Sequence, residues 1–172
     1  EIIVEGPEWL PMEENLVYRA AKLLKETAGT DKGCRITMDK QIPAGRGLGG
    51  GSSDCAAALT MLNEFWGLDM GIAELTKIGV QLGSDVNFFL HDGACMVAGR
   101  GEEIVPLGRP APEAKTILIV DTGIHISTKD VYTHYFGGSL TEKEELNTII
   151  TDYRSGNWEN ILKNDLEKVV YR

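Results

Sequence analysis

The sequence predicts a fold that mixes strands and helices. Short strand-like segments stand beside longer helix-like ones, and a glycine-rich stretch joins a strand to a helix. That helix is followed by a second helix rather than by another strand.

The elements read as follows along the chain. Ile2-Ile3-Val4 is a strand. Asn15 stands where it would cap a helix containing Tyr18 and Ala21. Residues 35–39, Arg-Ile-Thr-Met-Asp, alternate polar and apolar as a half-buried strand does. Residues 54–66 read as a helix stopped by Gly67. Residues 72–82 read as another, with Leu75, Ile78 and Leu82 at helical spacing, Gly71 at its N-cap, Glu74 three residues on and Gly83 ending it. Cys95 lies in an apolar strand. Leu107-Gly108-Arg109-Pro110-Ala111-Pro112 is a proline-rich linker, and Thr116-Ile117-Leu118-Ile119-Val120 follows as a buried-type strand. Two helices start at Ser127, with Asp130 three later, and at Thr141, with Glu144 three later. A last helical pattern includes Trp158, Ile161 and Leu162. The linker divides the chain into residues 1–108 and 109–172.

At 172 residues the chain makes one or two small domains, and 42% hydrophobic with 25% charged residues is ordinary for a globular protein. A net charge of −9 argues against general nucleic-acid binding. No run approaches the roughly 18–20 apolar residues of a membrane span. Cys34, Cys55 and Cys95 are odd in number and far apart, which reads as reduced, buried thiols in a cytoplasm. His91, His125 and His134 lack ligand spacing.

Pro43-Ala44-Gly45-Arg46-Gly47-Leu48-Gly49-Gly50-Gly51-Ser52-Ser53-Asp54 holds five glycines and two serines. A tight turn needs only one or two glycines. Without side chains, phosphate oxygens reach the backbone N–H groups, and the N-terminus of the following helix favours negative charge. The acids concentrate elsewhere, as at Glu142, Glu144 and Glu145, while Lys40 and Arg46 lie close to the loop. No lysine follows the glycines, so this is not a Walker A loop. The dinucleotide fingerprint fits Gly45, Gly47 and Gly50, but the parallel strand it requires after the helix is missing. A protein-kinase loop would run into a strand.

Beyond the loop, several segments combine: Glu14-Asn15-Leu16-Val17-Tyr18-Arg19-Ala20-Ala21, residues 47–59, residues 82–90 with Asp85, Gly99-Arg100-Gly101-Glu102, residues 127–132, and Asn164-Asp165-Leu166-Glu167. Together they resemble the GHMP kinases, small-molecule kinases, and the resemblance runs nearly the whole chain. It implies an α+β fold, with a ribosomal-S5-like ATP-binding domain over 1–108 and a partial ferredoxin-like domain over 109–172. It implies ATP and Mg2+ as cofactors, with ATP held by Pro43, Gly45, Gly47, Leu48, Gly49, Gly50, Gly51, Ser52 and Ser53. Asn15, Leu16 and Lys40 would lie near adenine and ribose, and Asp85 would be the catalytic aspartate. The triple glycine points within the family to a cytidine-diphosphate-linked methylerythritol as the small-molecule substrate. Thr128 and Tyr132 would then contact that substrate, Tyr132 by stacking on its base. Metal ligands and oligomeric state are not assigned.

Bland readings stand beside these. Asp85 fits an N-cap, Asn15 fits a cap, and Tyr132 fits core packing against 116–120. The chain could also belong to a different small-molecule kinase of the family, or be a nucleotide-binding module without catalysis. The family's opening lysine-bearing strand and its third, C-terminal glycine motif have no counterpart here. The resemblance therefore implies an internal piece of a longer enzyme, inactive or nearly so on its own.

Overall fold

The computed structural model describes residues 1–108, 116, 118–120, 123, 128–135 and 143–167. In order, these form β1 (Ile2–Glu5), a 3-10 turn (Met12–Glu14), α1 (Leu16–Ala28), β2 (Cys34–Thr37), α2 (Gly50–Phe65), α3 (Ile72–Leu82), α4 (Val86–Phe89), β3 (Ala94–Ala98), β4 (Glu103–Gly108), α5 (Thr128–His134), α6 (Lys143–Ser155) and α7 (Trp158–Ile161).

Strands β1 and β2 pair in parallel with Ile2 opposite Cys34 and Val4 opposite Ile36, and α1 makes the crossover between them. Parallel strands need such a crossover. Helix α1 buries Val17, Ala20, Ala21 and Leu24, the i, i+3, i+4, i+7 stripe of an amphipathic helix. The Asn15 side chain accepts a hydrogen bond from the Val17 N–H at 2.9 Å and so caps it. Gly29, at φ +61°, ends it, its N–H returning to the Glu26 carbonyl.

Helix α2 supplies the other half of the core through Cys55, Ala56, Ala58, Leu59 and Leu62. Leu75, Ile78 and Leu82 of α3 and Val86 of α4 complete it. Trp66, 1% exposed, anchors the far end of α2, its indole N–H donating to the Gly33 carbonyl at 3.0 Å. A buried indole needs that acceptor. Asn63 joins α2 to α3 by exchanging two 3.0 Å hydrogen bonds with the Met70 backbone. β3 and β4 form a separate antiparallel pair with a register irregularity between Ala94 and Cys95. Further along, Tyr153 of α6 is buried, and its hydroxyl donates to the Gly108 carbonyl at 3.4 Å.

Several expectations shift. The expected strand 35–39 is β2 at Cys34–Thr37. The expected helix 54–66 begins at Gly50, because the glycine run itself makes the first turn. Helix 72–82 stands as read, with the Glu74 carboxylate accepting from the Gly71 N–H at 2.9 Å. Leu107 and Gly108, expected to open the proline-rich linker, belong to β4, and residues 109–112 lie outside the described residues. Residues 116 and 118–120 are not strand, and Leu118, Ile119 and Val120 are 84%, 65% and 72% exposed. No described strand pairs with them, and a strand without a neighbour leaves its backbone groups to water. Leu162 falls just past α7 and is exposed. Ser127, Thr141 and His125 lie outside the described residues. No described helix is long and apolar enough to cross a membrane.

The three cysteines are free thiols, but only Cys55 is buried, Cys34 and Cys95 being half-buried, and burial, reinforced by Asp54 and opposed by Arg19, pushes Cys55 up to about 12. An ordinary thiol loses its proton near 9.0. Between these values the folded chain holds a proton that the unfolded chain has released, so this contribution to stability is whole below the lower value and falls as pH rises toward the upper one. Cys55→Ala should flatten that alkaline decline in urea midpoints. Equal slopes for the two proteins would show that another group is titrating.

Candidate functional site

Two helix N-termini and one tight loop meet at one place. Leu16 opens α1, and its Cδ1 lies 3.6 Å from where a Gly51 Cβ would stand, on the first turn of α2. Asn15, 6% exposed, sits beside Gly6 with its Nδ2 3.7 Å from that glycine's Cβ position. It is also the α1 cap, so the capping role and the place beside the α2 terminus coexist.

The loop reaches α2 through Gly45, Gly47 and Gly49, with φ of +69°, +69° and +68°. Gly49 is the N-cap. The Ser53 N–H is bonded to the Gly49 carbonyl at 2.9 Å, and the Ser53 hydroxyl donates to the Gly50 carbonyl at 2.9 Å. The amides of Gly50, Gly51 and Ser52, ahead of it, have no helical acceptor. They are the donors available to an anion. Ser53 lies one residue further into the helix.

Lys40 lies over this terminus. A Cβ on Gly50 would meet its Nζ at 2.9 Å and the Ile42 Cγ2 at 2.8 Å. An ammonium beside the positive end of a helix is poorly placed. Asp54 offsets it at 2.5 Å, with the two side chains 12% and 31% exposed.

Asp85 stands on the other side of the loop. Its φ of −92° and ψ of −6° lie in the sparsely populated bridge region, where many active-site residues sit. It precedes α4 but makes no side-chain cap bond to it, and its residue is exposed. The cap reading of Asp85 therefore fails. Phe89 of α4 presses its ring on the loop, since a Gly49 Cβ would stand 2.8 Å from its Cζ. Phe88 packs edge-on against Phe89 with ring centres 5.0 Å apart.

Two clefts flank the loop. One, of about 510 Å³, is lined by Trp9, Met38, Lys40, Ile42, Pro43 and Ala44 among others. The other, of about 380 Å³, is lined by Gly47, Leu48, Gly49 and Asp85, with Phe88, Phe89 and Val97. The loop thus faces Lys40 through its first residues and Asp85 through its last. Trp9, Phe89 and Val97 were not singled out from the sequence. Phe89 and Val97 stand in apolar runs that carry no ligand signal, and Trp9 carries none beyond an aromatic residue between prolines.

Tyr132 is 61% exposed on α5, so it does not pack in a core, and Thr128 opens the same helix. Tyr132 does not line the two clefts. Among the described residues no cluster of three metal-ligating side chains occurs.

Residues 15–93 match the family described as GHMP kinases N terminal domain. The 4-diphosphocytidyl-2-C-methyl-D-erythritol kinase of Thermodesulfovibrio yellowstonii is 41% identical over 177 residues, which take in 99% of this chain and 61% of that protein. The enzyme of the same name from Pelotomaculum thermopropionicum is 39% identical over 174 residues, 99% of this chain and 60% of its own length. A crystal structure of 4-(cytidine 5'-diphospho)-2C-methyl-D-erythritol kinase superposes with a TM-score of 0.62 at 32% identity, covering 91% of this chain and 55% of that one. The α+β fold is therefore of the GHMP-kinase type. The chain spans about 60% of the length of these two curated relatives.

The loop glycines differ in what a side chain would meet. Nothing lies within 4 Å of a Cβ at Gly47, so Gly47→Ala should cost only the positive-φ strain, about 1 kcal/mol. Gly49→Ala adds the contact with Phe89 and should cost clearly more in urea denaturation. Equal losses would mean that α4 does not bear on the loop.

Proposed function

From residues 15–93, which carry the GHMP kinases' N-terminal domain, we propose that the chain serves ATP-dependent phosphorylation of the 2-hydroxyl of 4-diphosphocytidyl-2-C-methyl-D-erythritol, in the non-mevalonate route to isoprenoids and in the cytoplasm. The observation that carries this reading is the shared cleft of Asp85 with Gly47 and Gly49, beside the free amides of α2.

In this reading residues 1–108 supply the nucleotide side and 109–172 the start of the substrate side. The ATP phosphates lie along Pro43 to Ser53, taking the Gly50, Gly51 and Ser52 amides and the Lys40 charge. Adenine and ribose extend over Asn15, Leu16 and Lys40, toward the cleft that Trp9 flanks. Phosphoryl transfer asks the protein mainly to hold the reacting oxygens in line and to neutralise charge. Asp85 accepts the proton of the substrate hydroxyl as its oxygen bonds to the γ-phosphorus and ADP departs. Mg2+ fits this donor set, because it binds with phosphates, waters and only one or two protein oxygens. Ser52, on the first turn of α2, is the side chain that would hold it, and it would neutralise phosphate charge. Tyr132, exposed on α5, is free to stack on the cytosine, with Thr128 one turn before it.

Two substitutions test these roles in the complete gene product that contains the chain. Asp85→Asn keeps size and removes the basic charge. General-base effects are about 10²–10⁴-fold, so kcat should fall by at least the lower figure while KM for ATP changes little. Near-normal turnover would sink the catalytic assignment. Tyr132→Ala should raise KM for the cytidyl substrate by about tenfold, from a stacking energy of about 1–3 kcal/mol, without matching change for ATP. Equal effects on both substrates would refute the stacking role. Calorimetric absence of ATP binding by the wild-type protein would refute the kinase and the non-catalytic binding module alike.

A further inference from the structure

The motif Gly99-Arg100-Gly101-Glu102 takes no part in the roles above. It is the turn between β3 and β4, and it lies against the segment that carries Asp85. Gly101 is buried, with φ +104°, and a Cβ there would stand 2.0 Å from the Ser84 carbonyl oxygen. The turn therefore touches the chain one residue before Asp85. Two residues after Asp85, Asn87 is 0% exposed, and its amide donates to the Gly101 carbonyl at 2.8 Å. One residue of the turn grips both flanks of Asp85.

The grip is costly. The Asn87 Oδ1 is buried and has no hydrogen-bond partner among the described residues. It lies over Gly79, where a Cβ would stand 2.2 Å from it. A buried acceptor left without a donor destabilises a fold, and a glycine inside α3 weakens that helix. Two such costs at one contact are the mark of a functional constraint rather than of packing. Asp85 itself lies in the bridge region and does not cap α4, so its own side chain does not hold its backbone in place.

We propose that Asn87 and Gly101 are positioning residues: the β3–β4 turn clamps the Ser84–Asn87 segment and fixes the Asp85 carboxylate in the cleft it shares with Gly47 and Gly49. This rests on the reading of Asp85 as the proton acceptor. Misplacing a reacting group by about 1 Å can cost about 10²-fold in rate.

The test uses the complete gene product, with ATP and the cytidyl substrate. Asn87→Asp keeps size but sets an acceptor against the Gly101 carbonyl. We expect kcat to fall by about 10- to 100-fold, with KM and the calorimetric affinity for ATP within about twofold of wild type. In an Asp85→Asn background the same change should cost less than about twofold, because a residue acting through Asp85 loses its effect once the carboxylate is gone. Unchanged kcat for Asn87→Asp overturns the clamp and leaves Asp85 standing. So does an equal loss in both backgrounds, which is the result of a merely structural role. If Asp85→Asn alone turns over normally, the reading of Asp85 falls and the clamp with it. Should Asn87→Asp fail to fold, Asn87→Ser, which draws its donor back from Gly101, takes the same two-background comparison with the same outcomes.

Discussion

The site depends on where α2 begins. A helix that starts at Gly50 presents the amides of Gly50, Gly51 and Ser52 with no internal acceptor. Starting there is possible because Gly49 adopts a positive φ that an ordinary residue rarely takes. It is necessary because both sides of the terminus are occupied. Ile42 and Lys40 close on Gly50, and the Phe89 ring closes on Gly49, each at a distance that leaves no room for a Cβ. The glycines answer two demands at once, backbone conformation and close approach. That explains why the run is longer than a turn requires.

The rest of the domain holds that terminus still. Ala20 and Ala21 of α1 and Ala56 and Ala58 of α2 are small enough for the two helices to lie close, with Leu24 and Leu59 filling the layer between them. Trp66 ties the far end of α2 to Gly33 just ahead of β2, and Asn63 fixes the turn into α3. Donors held by such a scaffold do not have to be ordered when a ligand arrives, and preorganised donors are worth most to a developing charge.

Charge is arranged against local preference. Lys40 stands beside a helix N-terminus, where a cation is disfavoured, and needs Asp54 to remain there. A surface pair placed only for stability would gain more at the other end of the helix. The chain's net charge of −9 makes this cationic spot the more distinctive. Conflicts of this kind, like the orphaned Asn87 oxygen, collect around one loop. The core of α1 and α2 shows no such conflict and follows its hydrophobic spacing throughout.

The sequence by itself determined the elements whose cause is local. The stripe of α1, the bounds of α3 with its Glu74 cap, the placing of a glycine loop between strand and helix, and the free thiols all follow from spacing and residue type. The motifs also carried the family, which the match over residues 15–93 bears out. What tertiary structure decided is where distant segments meet. Local pattern gave Asp85 a cap's position, and only the packing of α4 and the β3–β4 turn shows that it caps nothing and faces the loop. Spacing began α2 four residues late, because glycine is a poor helix former and only contacts with Ile42, Lys40 and Phe89 make it the first turn. The apolar run at 116–120 read as a buried strand, yet its described residues have no partner strand and lie exposed. Helix periodicity is written in neighbouring residues, whereas strand pairing and close approach depend on what another part of the chain brings alongside.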